Sequence, residues 1–192
     1  NQNQENELTQ LVQEIVDYRF IRYEDRLSNS KTENSETTMN LNVKNISSKG
    51  LLHNKFMRKD IPPLFGLTFN KSIWEAGHIT PKETDAQFLL ITLNKQGKKA
   101  NQQYHDYFLD ETTLHWQSQA STTVLSKKGR AILNHKKVHL FIRKNKLAGK
   151  KAAPFIYLGE VNYLSHENEK PMDVIWKLKS PIGPELFQYF KI

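Results

Sequence analysis

Residues 155–161 read Phe-Ile-Tyr-Leu-Gly-Glu-Val, and the aromatic and β-branched side chains of this run are typical of a β-strand. Other runs of strand length lie at close spacing along the chain, at 88–93, 104–109, 114–119, 138–143 and 174–178. Strands so closely spaced favour a curved antiparallel sheet or a small β-barrel over a parallel α/β fold. We therefore predict an α+β fold built around such a sheet, with an N-terminal helix and flanking helices.

The chain divides into three predicted parts. Apolar residues recur at helical spacing in residues 1–27, which predicts an N-terminal helix. Residues 28–44 are rich in Ser, Thr, Asn and Glu and are predicted to be a polar linker. Residues 45–192 form the main domain, in which residues 54–60 are predicted to be helical or irregular and to end at Pro62-Pro63.

Length and composition exclude several classes of protein. The 192 residues suit one domain with an accessory helix, and ten Phe, seven Tyr and three Trp supply large rings for a core although only 38% of residues are hydrophobic. No stretch approaches the roughly 18 apolar residues of a membrane helix, and the N-terminus does not resemble a signal peptide, so we expect a soluble, intracellular protein. The absence of cysteine excludes disulfides, thiol nucleophiles and thiolate metal sites. Because the chain begins with Asn1 and not Met, we expect it to be part of a longer protein.

Positive charge is concentrated in one segment. The chain has a net charge of +8, and residues 124–151 contain ten basic residues and no acidic one, with a second basic stretch at 41–60. Such a patch predicts a polyanionic partner, with a solvated Lys-rich hairpin as the alternative. The candidate phosphate-binding residues are Lys127, Lys128, Arg130, Lys136, Lys137, Arg143 and Lys144, together with Lys55, Arg58 and Lys59.

A predicted hairpin joins aromatic rings to polar side chains. Strand alternation places Tyr104 and Asp106 on one face of its first strand, Trp116 and Ser118 on one face of its second strand, and Gln117 and Gln119 on the other. Rings that stack on a base beside groups that read its edge are typical of a pocket for a nucleobase. The alternative is that Trp116 belongs to the core and that the two glutamines face solvent or satisfy buried main-chain groups. Further candidates for the base pocket are Tyr107 in the hairpin, and Trp74 and His78 at the mouth of a cleft, where the alternative is a structural anchor of the loop.

Motifs for catalysis are missing from the sequence. It contains no P-loop and no GxSxG or HExxH motif. We therefore predict no catalytic residue, no metal ligand and no cofactor for this segment.

Several sequence blocks together resemble a known family. The blocks ITLNK (91–95), YHDY (104–107), HWQSQ (115–119), FIR (141–143), PFIYLGEV (154–161) and PMDVIWKL (171–178) occur in a consistent order within residues 45–180. This set resembles the C-terminal domain of unknown function in bacterial fusions of a phospholipase-D nuclease with a helicase. It is most similar to modification-dependent (type IV) restriction endonucleases, which are ATP-dependent and cut DNA that contains 5-methylcytosine or 5-hydroxymethylcytosine.

The resemblance implies a role for this segment without assigning residues. It implies a fold similar to SRA-type β-barrels, a bacterial cytoplasmic location, nuclease and helicase regions upstream in the same chain, and ATP and Mg²⁺ for the parent protein. The segment itself is then the reader of modified cytosine in duplex DNA, by base flipping, in defence against foreign DNA. The main alternative is a regulatory module that couples the helicase motor to the nuclease through protein contacts. Binding of RNA or of unmodified single strands is a further alternative, and metal-dependent cleavage is the weakest.

Overall fold

The computed structural model describes residues 48–94, 105–134 and 137–191. The predicted N-terminal helix (1–27), the predicted linker (28–44), Tyr104 and Lys136 lie outside these residues. The strands are β1 (Lys55–Phe56), β2 (His78–Ile79), β3 (Gln87–Thr92), β4 (Tyr107–Asp110), β5 (Thr113–Gln117), β6 (Val138–Arg143), β7 (Leu147–Ala148), β8 (Lys151–Ala152), β9 (Phe155–Glu167) and β10 (Asp173–Leu178). The helices are α1 (Lys71–Trp74), α2 (Lys127–Leu133) and α3 (Gly183–Phe190), with 3-10 turns at Ser48–Leu51, Arg58–Asp60 and Pro62–Phe65.

Eight of the strands form one large mixed sheet. Their order is β2-β3-β6-β9-β10-β5-β4, with β1 beside β9, and β7 pairs with β8 separately. The α+β class and the sheet are confirmed; among the described residues the sheet stays open and does not close into a barrel. One pair, β3 with β6, is parallel. The long connection between them, which contains β4, β5 and α2, makes this crossover possible, whereas a short turn would impose an antiparallel pair.

The long strand β9 connects the two halves of the sheet. Its first part pairs with β6 and β1, and its second part pairs with β10. Gly159 has φ 86°, and a Cβ at this position would lie 3.1 Å from Cδ1 of Leu52, so a residue without a side chain fits here. The predicted strand at 155–161 is therefore confirmed but continues to Glu167.

Two hydrophobic clusters cover the two faces of the sheet. In β3, Leu89 and Ile91 belong to a mainly aliphatic cluster, whereas Phe88 and Leu90 belong to a cluster rich in aromatic rings. The aliphatic cluster includes side chains of β5, β10 and α3. The aromatic cluster includes Phe56, Ile61 and Trp74 from the segment before the sheet. That segment, predicted to be helical or irregular over 54–60, contains the short strand β1 followed by 3-10 turns.

The sheet curves strongly enough to bring distant strands together. The rings of His78 on β2 and Trp116 on β5 meet edge to face with their centroids 5.8 Å apart. In the sheet order, however, β3, β6, β9 and β10 all lie between β2 and β5. The curved sheet therefore leaves a gap between β2–β3 on one side and β5 on the other, and this gap contains the candidate site.

Candidate functional site

A cleft of about 420 Å³ lies in the gap between β2–β3 and β5, and we call it the seam cleft. Its volume is within the range of about 300–1,000 Å³ typical of small-molecule sites. It joins five predicted base-pocket residues and two predicted phosphate-binding arginines. The lining residues are Arg58, Glu75, Ala76, Gly77, His78, Leu90, Ile91, Thr92, Asn94, Asp106, Trp116, Gln117, Gln119, Arg143 and Lys146.

Trp116 forms part of the cleft wall but belongs to the core. Its side chain is only 5% exposed, and its ring packs at 6.3 Å from that of Trp176. The interpretation of Trp116 as a core ring is therefore confirmed, and because the same ring borders the cleft its role in a base pocket stays a prediction. A ring so deeply buried offers a narrow edge to a ligand and not a full stacking surface.

A buried carboxylate borders the cleft beside Trp116. Asp106 is 4% exposed, and its Oδ1 accepts a hydrogen bond from the main-chain N–H of Gln117 at 2.9 Å. Because this bond comes from the main chain of β5, it fixes the carboxylate against the strand. The chemistry it offers the cleft is that of an acceptor for an amino group.

The side chain of Gln117 is used inside the protein. Its Nε2 donates to Oδ1 of Asp173 at 2.7 Å, and its Oε1 accepts from the main-chain N–H of His105 at 2.9 Å. Although partial burial acts to raise the pKa of Asp173, hydrogen bonds from Asn168 and Gln117 and the nearby His115 hold that pKa below its ordinary value. Gln117 thus holds together the segment before β4, β5 and β10.

Ser118 and Gln119 fix the segment that follows β5. Ser118 is buried, and its Oγ accepts from the main-chain N–H of Met172 at 2.9 Å. Gln119 is exposed, and its Oε1 accepts from Nζ of Lys128 at 2.7 Å. The predicted alternation is confirmed in its burial pattern, because Trp116 and Ser118 are buried whereas Gln117 and Gln119 are not.

His78 is a buried neutral ring at the boundary between the cleft and α2. Its Nε2 lies 2.9 Å from Oε1 of Gln87, and Nε2 of Gln87 donates to the carbonyl of Ala131 on α2. The amide of Gln87 therefore accepts from His78, which places the ring proton on Nε2. Burial lowers the pKa of His78 to about 4, opposed by the Gln87 hydrogen bond and assisted by the nearby charge of Lys128.

Two arginines also line the cleft. Arg58 and Arg143 are both half-buried, with guanidinium carbons 5.1 Å and 4.3 Å from the ring centroid of Phe155. Burial, and then the charge of Arg58, lowers the pKa of Arg143 to about 10, while Glu75 acts in the opposite direction. A pKa in this range leaves Arg143 charged at neutral pH.

The remaining predicted residues lie outside the cleft, some in the core and others at the surface. Trp74 is a core residue of the aromatic cluster, and Tyr107 is exposed and stacks on His115. Lys55 on β1 is 9% exposed, because β1 packs against β9 and both of its residues are buried. The exposed or half-buried candidates outside the cleft are Lys59, Lys127, Lys128, Arg130, Lys137 and Lys144.

Sequence reasoning did not connect the arginines to the base-pocket residues, and it missed Glu75, Asn94 and Lys146. The signal for Lys146 was present, because it belongs to the basic segment 124–151. Nothing in the local pattern of Glu75 or Asn94 distinguishes them from ordinary loop residues. They join the site through the curvature of the sheet.

Over residues 48–94, 105–134 and 137–191, no group of three or more His, Asp or Glu side chains is placed to hold a metal ion. Over the same residues, no helix is both long and apolar enough to cross a membrane.

Comparison with known families identifies the domain. A family described as a domain of unknown function (DUF3427) matches residues 51–190, most of the chain, and the protein therefore belongs to that family. The match begins close to the start of the described core and ends in α3. A search of curated proteins finds no matching relative.

Proposed function

We propose that this DUF3427 domain is a DNA-binding target-recognition domain that reads 5-methylcytosine or 5-hydroxymethylcytosine in duplex DNA by base flipping. The observation that carries the proposal is the seam cleft, whose lining joins a buried carboxylate and an aromatic edge to the cations Arg58, Arg143 and Lys146. A further cation, Lys128 on α2, is bonded to Gln119 of the lining.

The exposed cations supply affinity for the DNA backbone. Lys127 and Arg130 project from α2 into solvent, and Lys150 and Lys151 are exposed at the β7–β8 hairpin. Contacts of such residues with phosphates release counterions and do not distinguish sequences. In this proposal the two groups hold the duplex while the cleft takes the base.

The wall beside Asp106 reads the base. A carboxylate is the natural acceptor for the N4 amino group of cytosine, and Trp116 supplies an apolar edge. Flipping costs a few kcal/mol, least at a base pair that is already weakened. Burial of a methyl group contributes only about 0.8 kcal/mol, so the preference for methylated over plain cytosine is modest unless the cleft closes tightly around the methyl group.

The proposal extends to the parent protein. In it, nuclease and helicase regions upstream in the same chain act on the DNA that this domain selects, with ATP and Mg²⁺ serving the motor and nuclease. The parent is then a modification-dependent restriction endonuclease in the bacterial cytoplasm. This segment contributes recognition, and catalysis lies outside it.

The test is a binding comparison of matched duplexes that carry cytosine, 5-methylcytosine or 5-hydroxymethylcytosine at one position. We expect the 192-residue chain to bind at least one modified duplex more tightly, and Asp106→Asn to lose affinity for it. Asn keeps an oxygen to accept from the N–H of Gln117 but loses the negative charge. Asp110→Asn is the matched control, because Asp110 is exposed, bonds its own turn at Thr112 and does not line the cleft.

Equal affinity of the wild type for all three duplexes would overturn the reading function. If the chain binds no duplex at all, the regulatory module that couples motor to nuclease becomes the better explanation. A stronger preference for single strands or RNA than for any duplex would favour the third alternative.

A further inference from the structure

We infer that Arg58 and Arg143, called the arginine pair, bind the phosphate of the nucleotide whose base lies beside Asp106. The inference rests on the proposed function and deepens it, because it assigns the cleft to a whole nucleotide and not to a base alone. The ligand class is a pyrimidine nucleoside phosphate. On this view the two arginines act inside the cleft and not on the outer surface of the duplex.

The hydrogen bonds of the pair leave donors available. Arg58 uses Nη1 for two bonds, to the carbonyls of Trp74 and Ala76. Arg143 donates from Nε to Oγ1 of Thr92 at 2.9 Å and from Nη1 to the carbonyl of Ala153 at 3.0 Å. Within the described part of the chain, Nε and Nη2 of Arg58 and Nη2 of Arg143 have no acceptor. Since a guanidinium carries five N–H groups, each arginine is held in place and still has N–H groups to donate.

The charge of the pair is not balanced by a partner. Among residues 48–94, 105–134 and 137–191, no carboxylate forms an ion pair with either guanidinium. Glu75, which also lines the cleft, is exposed and acts on the pair only from a distance. Two half-buried cations close together are costly unless an anion joins them. A phosphate oxygen is the acceptor that suits planar N–H donors of arginine.

Phe155 makes the pair rigid. Its ring is fully buried in the aromatic cluster, and both guanidinium groups lie over it. A cation held against an aromatic face loses little further freedom when it binds a ligand, which favours affinity. The pair differs in this respect from the solvated Lys127 and Arg130 of α2.

The lining groups of opposite charge give the nucleotide a direction. Asp106, which is bonded to β5, repels a phosphate and accepts from an amino group, whereas the arginine pair attracts the phosphate and repels a protonated base. Both groups line the same cavity, and Arg143 bonds to Thr92, so that the guanidinium is held where β3 and β6 end. A cytosine nucleotide therefore fits with its base at β5 and its phosphate at the ends of β3 and β6.

The experiment compares three small probes on the 192-residue chain by isothermal titration calorimetry: 5-methyl-2′-deoxycytidine, its 5′-monophosphate, and inorganic phosphate. We expect the monophosphate to bind at least tenfold more tightly than the nucleoside and more tightly than phosphate alone. Arg58→Lys and Arg143→Lys keep the charge but lose the planar donors, so the advantage of the monophosphate over the nucleoside falls to a few-fold or less. Lys71→Gln, which removes an exposed charge at the start of α1, leaves that advantage unchanged.

Each outcome supports or overturns the inference. Equal binding of nucleoside and monophosphate by the wild type overturns it, whether or not the arginine variants fold. Binding of inorganic phosphate as tight as that of the monophosphate also overturns it, since the site then serves a free anion. If the monophosphate shows the expected advantage while duplexes show no dependence on modification, the arginine pair stands and the proposed reading of duplex DNA fails. If duplex reading holds but the lysine variants keep the monophosphate advantage, the inference alone fails.

Discussion

The cations of α2 and the arginine pair carry charge of the same sign in two different environments. Lys127 and Arg130 are exposed, and solvent screens their charge. Arg58 and Arg143 are half-buried over Phe155 and bonded to main-chain carbonyls. The net charge of the chain therefore predicts only that the partner is a polyanion. Burial distinguishes the exposed cations, which attract the polyanion from a distance, from the half-buried ones, which can hold a single phosphate in place.

Acid is expected to have the largest effect, and it acts through two buried histidines and not through either group of cations: His78 is connected to α2 through Gln87, and His139 on β6 contacts Tyr157. Burial lowers the pKa values of His78 and His139 to about 4. In the unfolded chain each titrates near its ordinary value of about 6.5, so the unfolded state takes up protons first as the pH falls. Stability is therefore full above about pH 6.5 and declines towards pH 4, by up to about 3 kcal/mol for each histidine. Urea unfolding at a series of pH values measures this decline.

The variant His78→Gln isolates the contribution of one histidine. Gln keeps a donor for Gln87 and carries no proton that titrates, so the variant is expected to lose about half of the acid-dependent decline. An unchanged dependence on pH in this variant would contradict the prediction. The arginine pair, with a pKa of about 10 for Arg143, keeps its charge over this range.

The next largest effect is expected from Gly129→Ala, which displaces α2 itself. A Cβ at Gly129 would lie 1.9 Å from the main-chain oxygen of Thr123, a contact that only movement of the backbone can relieve. We expect a loss of about 3 kcal/mol in the free energy of unfolding, together with weaker binding of every duplex. Denaturant unfolding gives the first quantity and a titration with unmodified duplex the second. Gly50→Ala is the control, because no atom lies within 4 Å of its added Cβ, and it should leave both unchanged.

A pair of core substitutions tests whether Phe155 supports the arginine pair. Phe155 and Phe88 are both fully buried in the aromatic cluster, but only Phe155 lies beneath the guanidinium groups. Phe155→Leu and Phe88→Leu should each cost about 1–2 kcal/mol of stability. Only Phe155→Leu should weaken binding of the monophosphate, by several-fold, as measured by calorimetry. Equal weakening by both variants would mean that Phe155 acts through general packing and not through the arginine pair.

The smallest effect is expected from an exposed cation of α2. Arg130→Gln should change the free energy of unfolding by less than about 0.5 kcal/mol. It should weaken modified and plain duplexes alike and reduce the slope of log affinity against log salt by about 0.9 for the lost phosphate contact. A fluorescence titration over a salt series measures both. Lys71→Gln removes one charge elsewhere on the surface, and a reduction of the slope as large as in Arg130→Gln would assign the effect to net charge alone.

Local pattern predicts the strands of this fold well and its curvature poorly. The apolar runs at 88–93, 138–143 and 174–178 agree with β3, β6 and β10 to within one residue. By contrast, Lys55 lies in a two-residue strand, and its partner in the sheet is the distant Ile156 on β9. No local periodicity shows such a pairing, so its burial was not predicted.

The same distinction applies to the candidate site. Asp106, Trp116 and Gln119 were found from strand alternation and side-chain chemistry, and all three line the cleft. The hydrogen bond from the Gln117 amide to Asp173 could not be predicted from the sequence, because β5 and β10 become neighbours only in the folded sheet. The meeting of Arg58 and Arg143 over Phe155 likewise depends on tertiary structure, which brings three separate segments together.

The shortness of β2 has a consequence for detecting a bound ligand. Only two residue pairs join β2 to β3, whereas six join β9 to β10. Gly77 and His78 of this weakly paired edge line the cleft, and the main-chain N–H of Leu90 donates to the carbonyl of Gly77. Edge segments with few main-chain bonds open most readily, and their amide hydrogens exchange fastest with solvent. Hydrogen exchange of the Leu90 amide can thus be used to detect binding. Slower exchange of this amide would indicate that the cleft is occupied, even when the ligand has not been identified.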